Sequence, residues 1–298
     1  MDQSKKLTPW TQSDKDQWLN EQKVKRSYQE DVANEIAALG LEFDVLPYGN
    51  LSTSGHALYL VKSKNFEAKK KTVLITGGVH GYETSGVQGA LSFMINQAKA
   101  YESDFNFICA PCISPWAYET VNRWNANAID PNRSFTSASQ VEECALLLTA
   151  LKPFLAQIHM HIDLHETTDT DNTVFRPALE KRDGKFQELS EIPDGFYTVG
   201  DTENPQLEFQ KAIIDSVRKV THIAAPDKDG KIIGEQIKAE GVILYPLKKL
   251  NLCAGITSAK YTSTTEVYPD SAKVTDAICI EAQIAAIKGG LDFSRDLG

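Results

Sequence analysis

Residues 71–90, KTVLITGGVHGYETSGVQGA, contain the transition from strand to helix that decides the fold. Residues 71–79 are almost continuously apolar and include a Gly-Gly pair, which is typical of a strand buried on both faces of a sheet. Residues 86–101 then carry apolar residues at helical spacing. A buried strand that leads directly into a helix predicts a unit of an α/β fold.

Strand-like and helix-like patterns continue to alternate along the chain. Strands are predicted at 41–48, 56–63, 105–111, 158–165, 241–247 and 260–268, and further helices at 138–157, 205–220 and 270–289. The first two strands have the alternation of an antiparallel pair, and the later ones need helical crossovers. We therefore predict a three-layer α/β/α fold with a mixed, mostly parallel central sheet. In such folds the active site lies beyond the carboxyl ends of the strands.

The N-terminal part of the chain has a different character. Residues 14–39 are polar, with apolar residues at helical spacing, and Gly40 is a suitable end for a helix. We predict an N-terminal helical extension at 1–44, packed on a catalytic domain at 45–298. We expect the extension to be a solvated element with a structural role.

Composition limits the classes of partner and location. The chain has 298 residues and a net charge of −9, so its acidic surface disfavours a nucleic-acid partner. The five cysteines are scattered and odd in number, which does not suit a disulfide framework. The start, MDQSKKLTPW, lacks the apolar region of a signal peptide, and no apolar stretch reaches about 18 residues. We expect a cytoplasmic protein without a membrane partner, whose oligomeric state the sequence does not indicate.

The first candidate metal ligands follow directly on the strand at 71–79. His80 and Glu83 stand three residues apart on a turn between strand and helix, so that an imidazole and a carboxylate can face one point. Zinc accepts both types of ligand. An HxxE pair by itself also fits a plain helix N-terminus, where the helix dipole favours an acidic residue.

A third candidate ligand ends the strand at 158–165, IHMHIDLH. Strand alternation places His159, His161, Asp163 and His165 on one face. Only His165 lies at the carboxyl end, so we expect His159 and His161 to be hydrogen-bonded core residues. Three protein ligands leave a fourth position open for water, which is typical of a catalytic zinc site.

Two further groups of polar residues need an explanation. Residues 122–135, NRWNANAIDPNRSF, contain Arg123 and Arg133, whose guanidinium groups can bind carboxylates through two hydrogen bonds. An ordinary loop with Asx turns is the alternative. Glu266 is the single acid in the strand at 260–268. Near a metal it can act as a general base, and otherwise it is a solvent-facing strand residue.

Together these segments resemble the zinc carboxypeptidase family of the carboxypeptidase A type. The family has an HxxE pair, an arginine, an Asn-Arg pair, a distant histidine and a glutamate on a late strand. This chain has the same residue types in the same order: His80 and Glu83, Arg123, Asn132 and Arg133, His165, and Glu266. Residues 123–135 are similar to the family's RxNxxGxDLNRxF tract, with Ala128 in place of Gly and Pro131 in place of Leu.

The resemblance implies a metal centre with one Zn²⁺ ion. His80, Glu83 and His165 would bind the zinc. Asp130 would hydrogen-bond a ligand histidine and fix its orientation. Glu266 would take a proton from the zinc-bound water and pass it to the leaving amine.

The resemblance also implies how substrate is bound. Arg123 would polarise the scissile carbonyl and stabilise the developing oxyanion. Asn132 and Arg133 would hold the terminal carboxylate of the substrate. The family has a substrate-binding tyrosine upstream of the catalytic glutamate, and Tyr245 stands near that distance. A core aromatic residue at a strand end is the equally weighted alternative for Tyr245.

These roles lead us to expect a metallocarboxypeptidase-like hydrolase that uses zinc-activated water to cleave an amide bond next to a free C-terminal carboxylate. Residues 77–87 and 163–167 also resemble the succinylglutamate desuccinylase/aspartoacylase branch, whose members cleave N-acyl amino acids. Those enzymes carry a β-rich region after the catalytic glutamate, and only 32 residues follow Glu266 here. We therefore favour a peptide substrate over an N-acyl amino acid. A non-catalytic binding protein on the same scaffold is the third alternative.

Overall fold

The central feature of the structure, a computed structural model that describes residues 7–296, is an eight-stranded mixed sheet. The described strands are β1 (Phe43–Asn50), β2 (Ala57–Ser63), β3 (Lys71–Gly77), β4 (Phe105–Ala110), β5 (Ile158–Glu166), β6 (Tyr197–Asp201), β7 (Lys231–Ile232), β8 (Glu235–Gln236), β9 (Val242–Tyr245) and β10 (Tyr261–Val267). The sheet has the order β1-β2-β4-β3-β5-β10-β6-β9, and β7 and β8 form a separate hairpin. Strands β4, β3, β5 and β10 are parallel neighbours, whereas β1, β2 and β6 introduce antiparallel pairs.

Helices cover both faces of this sheet. The described helices are α1 (Gln12–Glu21), α2 (Asn34–Ala38), α3 (Thr84–Asn96), α4 (Pro115–Thr120), α5 (Glu142–Leu151), α6 (Arg176–Asp183), α7 (Leu207–Val217) and α8 (Asp276–Asp296). One face packs against α3, α7 and α8, and the other packs against α5. The predicted three-layer α/β/α architecture is therefore confirmed. In the described residues, no helix has both the length and the apolar character that a membrane crossing requires.

Strand β3 shows why residues 71–79 are apolar throughout. Val73 and Ile75 are buried in the core beneath α3 and α8, and Leu74 between them is buried in the opposite core beneath α5. Each of these aliphatic side chains contributes about 1.5–3 kcal/mol by leaving water. Helix α3 lies so close to the sheet that a Cβ at Gly86 would be 2.5 Å from the carbonyl oxygen of Leu164. The glycine is needed at that position.

The N-terminal part does not form the single helix predicted for residues 14–39. Helix α1 begins with a capping box between Thr11 and Asp14 and ends at Glu21, and Gln22 is extended. Helical structure resumes only at Gln29, in turns that continue through α2. The division of the chain at residue 44 stays a prediction, and β1 begins at Phe43.

Other differences from the sequence prediction are local. The helix predicted at 138–157 is shorter, because α5 ends at Leu151, and the last helix begins at Asp276 rather than 270. Helix α6 and strand β6 were not predicted. Strand β6 pairs with β9 and β10 inside the sheet, so its position depends on tertiary contacts rather than on a local pattern.

One buried acid on α5 is a stability determinant outside the cleft. Glu143 is 3% exposed, and the amide Nδ2 of Asn125 lies 3.5 Å from its Oε2. Burial raises the pKa of Glu143 to about 7. The folded protein therefore binds a proton that the unfolded chain releases at lower pH.

We predict that Glu143→Gln increases stability above neutral pH. The folded pKa lies above the unfolded value, so wild-type stability from this group is full near pH 4 and is lost as pH rises through 7. The variant should match the wild type at pH 5 and exceed it by about 2–3 kcal/mol at pH 8. Urea unfolding at both pH values measures this, with the exposed Glu188→Gln as control. A stability difference that does not change with pH would contradict the prediction.

Candidate metal centre and active site

Three buried side chains meet where strands β3 and β5 end. His80 follows β3, Glu83 immediately precedes α3, and His165 is the penultimate residue of strand β5. Their possible ligand atoms all lie within 4.8 Å of one another. Each of the three side chains is at most 2% exposed. The structure thus brings together all three residues that the sequence nominates as metal ligands.

The orientation of the two imidazoles suits a metal. The Nδ1 atom of His80 lies 2.7 Å from Oε1 of Glu83, and the Nδ1 atom of His165 lies 2.7 Å from Oε2. The second pair lacks hydrogen-bond geometry, and within residues 7–296 the buried Oε2 has no hydrogen-bond partner. Two imidazole nitrogens and a carboxylate that face one point are a donor set that zinc prefers. The residues therefore fit a zinc ion.

A carboxylate holds the other nitrogen of each imidazole. The Nε2 atom of His80 lies 3.0 Å from Oδ1 of Asp130, and the Nε2 atom of His165 lies 2.8 Å from Oδ2 of Asp163. When Nε2 donates to a carboxylate, Nδ1 keeps its lone pair for a metal. The sequence nominates Asp130 for this contact and misses Asp163. The strand alternation that puts Asp163 on the face of His165 was the available signal.

Burial and charge oppose each other in this centre. Burial by itself would raise the pKa of Glu83, but the imidazoles of His165 and His80 outweigh it and lower the pKa to about 2. Burial likewise acts against ionisation of Asp130, yet Arg123 and His80 keep its pKa well below the ordinary value. Both acids are therefore carboxylates at neutral pH.

A polar network lies beneath Asp163. Thr76 donates its hydroxyl hydrogen to Oδ1 of Asp163 at 2.6 Å and lies 2.9 Å from Nε2 of His161. His161, Asp163 and Cys253 could also face a metal, but the Thr76 hydroxyl bonds to all three. We interpret this group as the support that fixes Asp163. The expected hydrogen bonding of His161 is confirmed, and His159 contacts Ser294.

Arg123 is fixed at the edge of the same site. Its Nε lies 3.2 Å from Oδ2 of Asp130, and its Nη1 lies 3.2 Å from Oδ1 of Asp171. Nη1 also donates to the hydroxyl of Tyr82, and the ring of Phe175 lies 4.3 Å from the guanidinium carbon. Within the described residues Nη2 makes no hydrogen bond, so this nitrogen remains free to bind a carbonyl oxygen.

Asn132 and Arg133 lie next to one another in the cleft. Oδ1 of Asn132 accepts a hydrogen bond from the backbone N–H of Cys253 at 2.8 Å, which ties the 251–256 turn to the site. Arg133 donates Nη1 to the carbonyl of Asn132. Burial lowers the pKa of Arg133, although Asp130 opposes this shift. Arg133 forms no ion pair with any described residue, so its charge is free to attract an anion.

Glu266 lies beside His165 because β5 and β10 are parallel and in register at these residues. Thr167 donates its hydroxyl to Oε2 of Glu266 at 2.9 Å, and the Tyr197 hydroxyl lies 2.7 Å from that of Thr167. Since the threonine has a single hydroxyl hydrogen, Tyr197 must donate to it. Burial raises the pKa of Glu266 to about 8, with His165 acting in the opposite direction. Glu266 faces the cleft, so its solvent-facing alternative is wrong.

These residues line one cleft of about 820 Å³, a size typical of small-molecule sites. Tyr245 lies in its wall at the end of β9, and burial raises its pKa to about 12. Tyr245 also packs against the hydrophobic cluster that contains Ile243 and Leu247, so both interpretations of this residue stay open. Thr167 and Asp171 also line the cleft.

The N-terminal extension contributes to the same cleft. Trp10 and Lys15 lie in its wall together with Arg176 and Arg182 from the α6 region. Helix α1 has no buried residue, as expected of a solvated element, and its purely structural role stays a prediction. No motif in the sequence marks these residues, because they reach the cleft only through the packing of the N-terminal segment against the α6 region.

Part of the chain around the site matches a known protein family. Residues 69–196 match the sequence model of the succinylglutamate desuccinylase/aspartoacylase catalytic domain. The matching segment contains the three candidate metal ligands, Arg123 and Arg133, whereas Tyr245 and Glu266 lie beyond its end. No curated protein matches the sequence.

Solved structures resemble the chain over most of its length. A provisionally assigned metallopeptidase from Shewanella amazonensis SB2B is 19% identical, with a TM-score of 0.68 and coverage of 92% of this chain and 98% of that one. A metallo-carboxypeptidase from Burkholderia cenocepacia is 16% identical, with a TM-score of 0.63 and coverage of 91% and 70%. A Pseudomonas aeruginosa metallo-carboxypeptidase, in complex with (2-guanidinoethylmercapto)succinic acid, is 12% identical, with a TM-score of 0.59 and coverage of 89% and 69%. The chain therefore has a zinc-carboxypeptidase-like fold, with similarity to the desuccinylase/aspartoacylase branch.

We predict that Asp163→Asn weakens zinc binding about 10- to 100-fold, because the contact that fixes the His165 tautomer is changed. Competition with a chromogenic chelator measures the affinity. Asp44→Asn is the matched control, since Asp44 pairs with Lys62 on β1, away from the cleft. An Asp163→Asn protein with the wild-type zinc affinity would show that Asp163 does not support the site.

Proposed function

We propose that the protein is a zinc-dependent hydrolase that cleaves an amide bond next to a free carboxylate. The observation that carries the proposal is the meeting of three elements in one cleft. These are the donor set of His80, Glu83 and His165, the carboxylate of Glu266 beside it, and the unpaired guanidinium of Arg133. The resemblance of the whole chain to metallo-carboxypeptidases in fold supports the same conclusion.

The metal ligands and Glu266 divide the chemistry between them. Zinc held by the two imidazoles and Glu83 supplies a Lewis acid that lowers the pKa of water to about 7 and polarises a carbonyl. Asp130 and Asp163 keep the imidazoles oriented. Glu266, which a cation bound at the three metal ligands would keep ionised despite its burial, accepts a proton from the attacking water and delivers it to the leaving amine.

Two arginines act on the substrate. Arg123 is held by two carboxylates through Nε and Nη1, so that Nη2 can donate to the oxygen on which negative charge develops. Arg133 pairs with the free carboxylate, and the amide Nδ2 of Asn132 and the hydroxyl of Tyr245 add donors. In the proposed binding mode the scissile carbonyl lies between Arg123 and the metal centre.

The charge of the cleft supports an anionic substrate. The chain as a whole carries −9, yet Lys15, Arg133 and Arg176 line the cleft without an ion pair among residues 7–296. Most of the acids that line the cleft are engaged by Arg123, Arg182 and the imidazoles, so these three cations are left to attract a carboxylate substrate.

An N-acyl amino acid is the second candidate substrate. The family match at residues 69–196 favours it, because desuccinylases and aspartoacylases cleave amides of this kind. The fold comparisons over the whole chain favour a peptide. Both substrates have a carboxylate beside the amide, so both fit the same contacts with Arg133.

A substrate screen tests the proposal. Purified protein should hydrolyse peptides with free C-termini or N-acyl amino acids, and a chelator should abolish the activity. Amidation of the carboxylate should lower kcat/KM about 100-fold, since a charged hydrogen bond of about 1.5–3 kcal/mol is lost. Arg133→Met should remove most of this discrimination. Comparison of the rates on peptides and on N-acyl amino acids identifies the substrate class.

Equal rates on free and amidated substrates would contradict the role of the carboxylate. Arg218→Met is the matched control, because Arg218 pairs with Glu240 at the surface. Protein that contains no zinc and turns over neither class would favour a binding protein on the same scaffold.

Glu266→Gln should retain zinc and lose turnover. The amide keeps the shape of the side chain but cannot accept the proton, so kcat should fall about 10²- to 10⁴-fold. His80→Ala should lose zinc as well as activity. Metal analysis and steady-state kinetics separate the two cases, with the exposed Glu281→Gln as control. Undiminished hydrolysis by Glu266→Gln would exclude Glu266 as the base.

A further inference from the structure

One arginine of the N-terminal extension reaches the loop that carries two of the candidate metal ligands. Arg26 lies in the extended segment between α1 and the next helical turn. Its Nε donates to the carbonyl of Tyr118 at 2.7 Å, and its Nη1 donates to the hydroxyl of Thr84 at 2.7 Å. Its Nη2 donates to the carbonyl of Gly81. All three nitrogens are therefore engaged, and the plane of the guanidinium is fixed.

Two partners of Arg26 are sequence neighbours of the candidate metal ligands. Gly81 directly follows His80, and Thr84 directly follows Glu83 and begins α3. A single guanidinium thus ties together both ends of the turn between the two ligands. A rotation of this turn would break two of these hydrogen bonds at once.

The opposite side of the turn is packed against α4. A Cβ at Gly81 would lie 1.9 Å from the carbonyl carbon of Ala117, so the backbones are in direct contact there. The guanidinium of Arg26 also lies 3.5 Å from the ring centroid of Tyr118, in a cation–π contact. Arg26 therefore clamps the turn onto α4 from the outside.

The backbone around Arg26 is itself anchored. The N–H groups of Lys25 and Arg26 donate to the carbonyl of Glu119 at 2.8 and 3.3 Å. The N–H of Tyr28 donates to the Glu119 carboxylate at 3.0 Å, and Nε2 of His56 lies 3.0 Å from the same group. These contacts explain why helical structure stops after α1, because they use backbone donors that a helix would need.

The positive charge of Arg26 does not favour metal binding at the neighbouring site. Arg26 forms no ion pair with any carboxylate of residues 7–296, and burial lowers its pKa. A cation beside a site for another cation opposes metal binding by Coulomb repulsion. A planar fork with three directed donors, in contrast, can fix the geometry of the turn. The two effects change zinc affinity in opposite directions, so experiment can separate them.

We propose that Arg26 is a positioning residue for the metal centre, and that the N-terminal extension is thereby part of the active site. By fixing the turn from Gly81 to Thr84, Arg26 holds His80 and Glu83 in the arrangement that receives the metal. This inference rests on the proposed zinc site.

The test is the zinc affinity of Arg26 variants in the full chain, measured by chelator competition. Arg26→Met should bind zinc about 10- to 100-fold more weakly, as is typical when the support of a metal ligand is removed. Arg26→Lys should remain impaired, because a single ammonium cannot reproduce the fork. The visible spectrum of Co²⁺-substituted protein should change in both variants. Arg218→Met controls for the loss of a guanidinium at the surface.

Two results would overturn the inference. One is an Arg26→Met protein that binds zinc as tightly as the wild type or more tightly, and the other is full recovery in Arg26→Lys. If Arg26→Met does not fold, Thr84→Val removes one of the three bonds and should still weaken zinc binding several-fold. Wild-type zinc affinity in Thr84→Val would then count against the clamp. Wild-type protein that binds no zinc would instead remove the proposed function as well.

Discussion

The buried carboxylate of Glu83, placed between the imidazoles of His80 and His165, is the constraint on which the rest of the site depends. An ionised acid at 1% exposure is costly unless positive or proton-bearing partners surround it. A cation bound between Glu83 and the two Nδ1 atoms would meet this need, and the Nε2 atoms, which then carry the protons, need acceptors of their own. Asp130 and Asp163 provide them. The buried carboxylate therefore requires a cation shared with the imidazoles around it, and the imidazoles require the two aspartates behind them.

Parallel pairing of strands gives this network its geometry. Strands β3, β5 and β10 are neighbours, so residues far apart in sequence emerge at one edge of the sheet. The register between β5 and β10 sets Glu266 next to His165, and the same register makes Thr167 available to hold Glu266. A slip of one residue would turn Glu266 to the opposite face. The backbone ladder thus fixes the distance between Glu266 and His165.

The sequence predicts the features that depend on short, continuous stretches of the chain. The apolar stretch of β3 and the alternation of β5 locate the buried strands, and the order of polar residues in the resemblance nominates the ligands and Glu266. The sequence does not reveal Tyr197. This residue reaches Thr167 only because β6 pairs with β10 in the folded sheet. The sequence also fails at the break after α1, because the apolar spacing around Trp18 continues although the backbone donors of the next residues bind Glu119. Trp18 packs instead in an aromatic cluster with Trp10 and Trp124.

Under the proposed function, the choice between a peptide and an N-acyl amino acid depends on the walls of the cleft rather than on the metal centre. The proposed ligands, base and guanidinium groups can serve both, since each substrate presents an amide beside a carboxylate. The N-terminal extension and the α6 region form part of these walls, and they touch each other at the rim. Trp10 donates its backbone N–H to the carbonyl of Arg182 at 2.9 Å, and the residue next to it, Pro9, packs against Gly184. Because these two segments form one joined wall, a change in either alters the space that the other leaves for substrate.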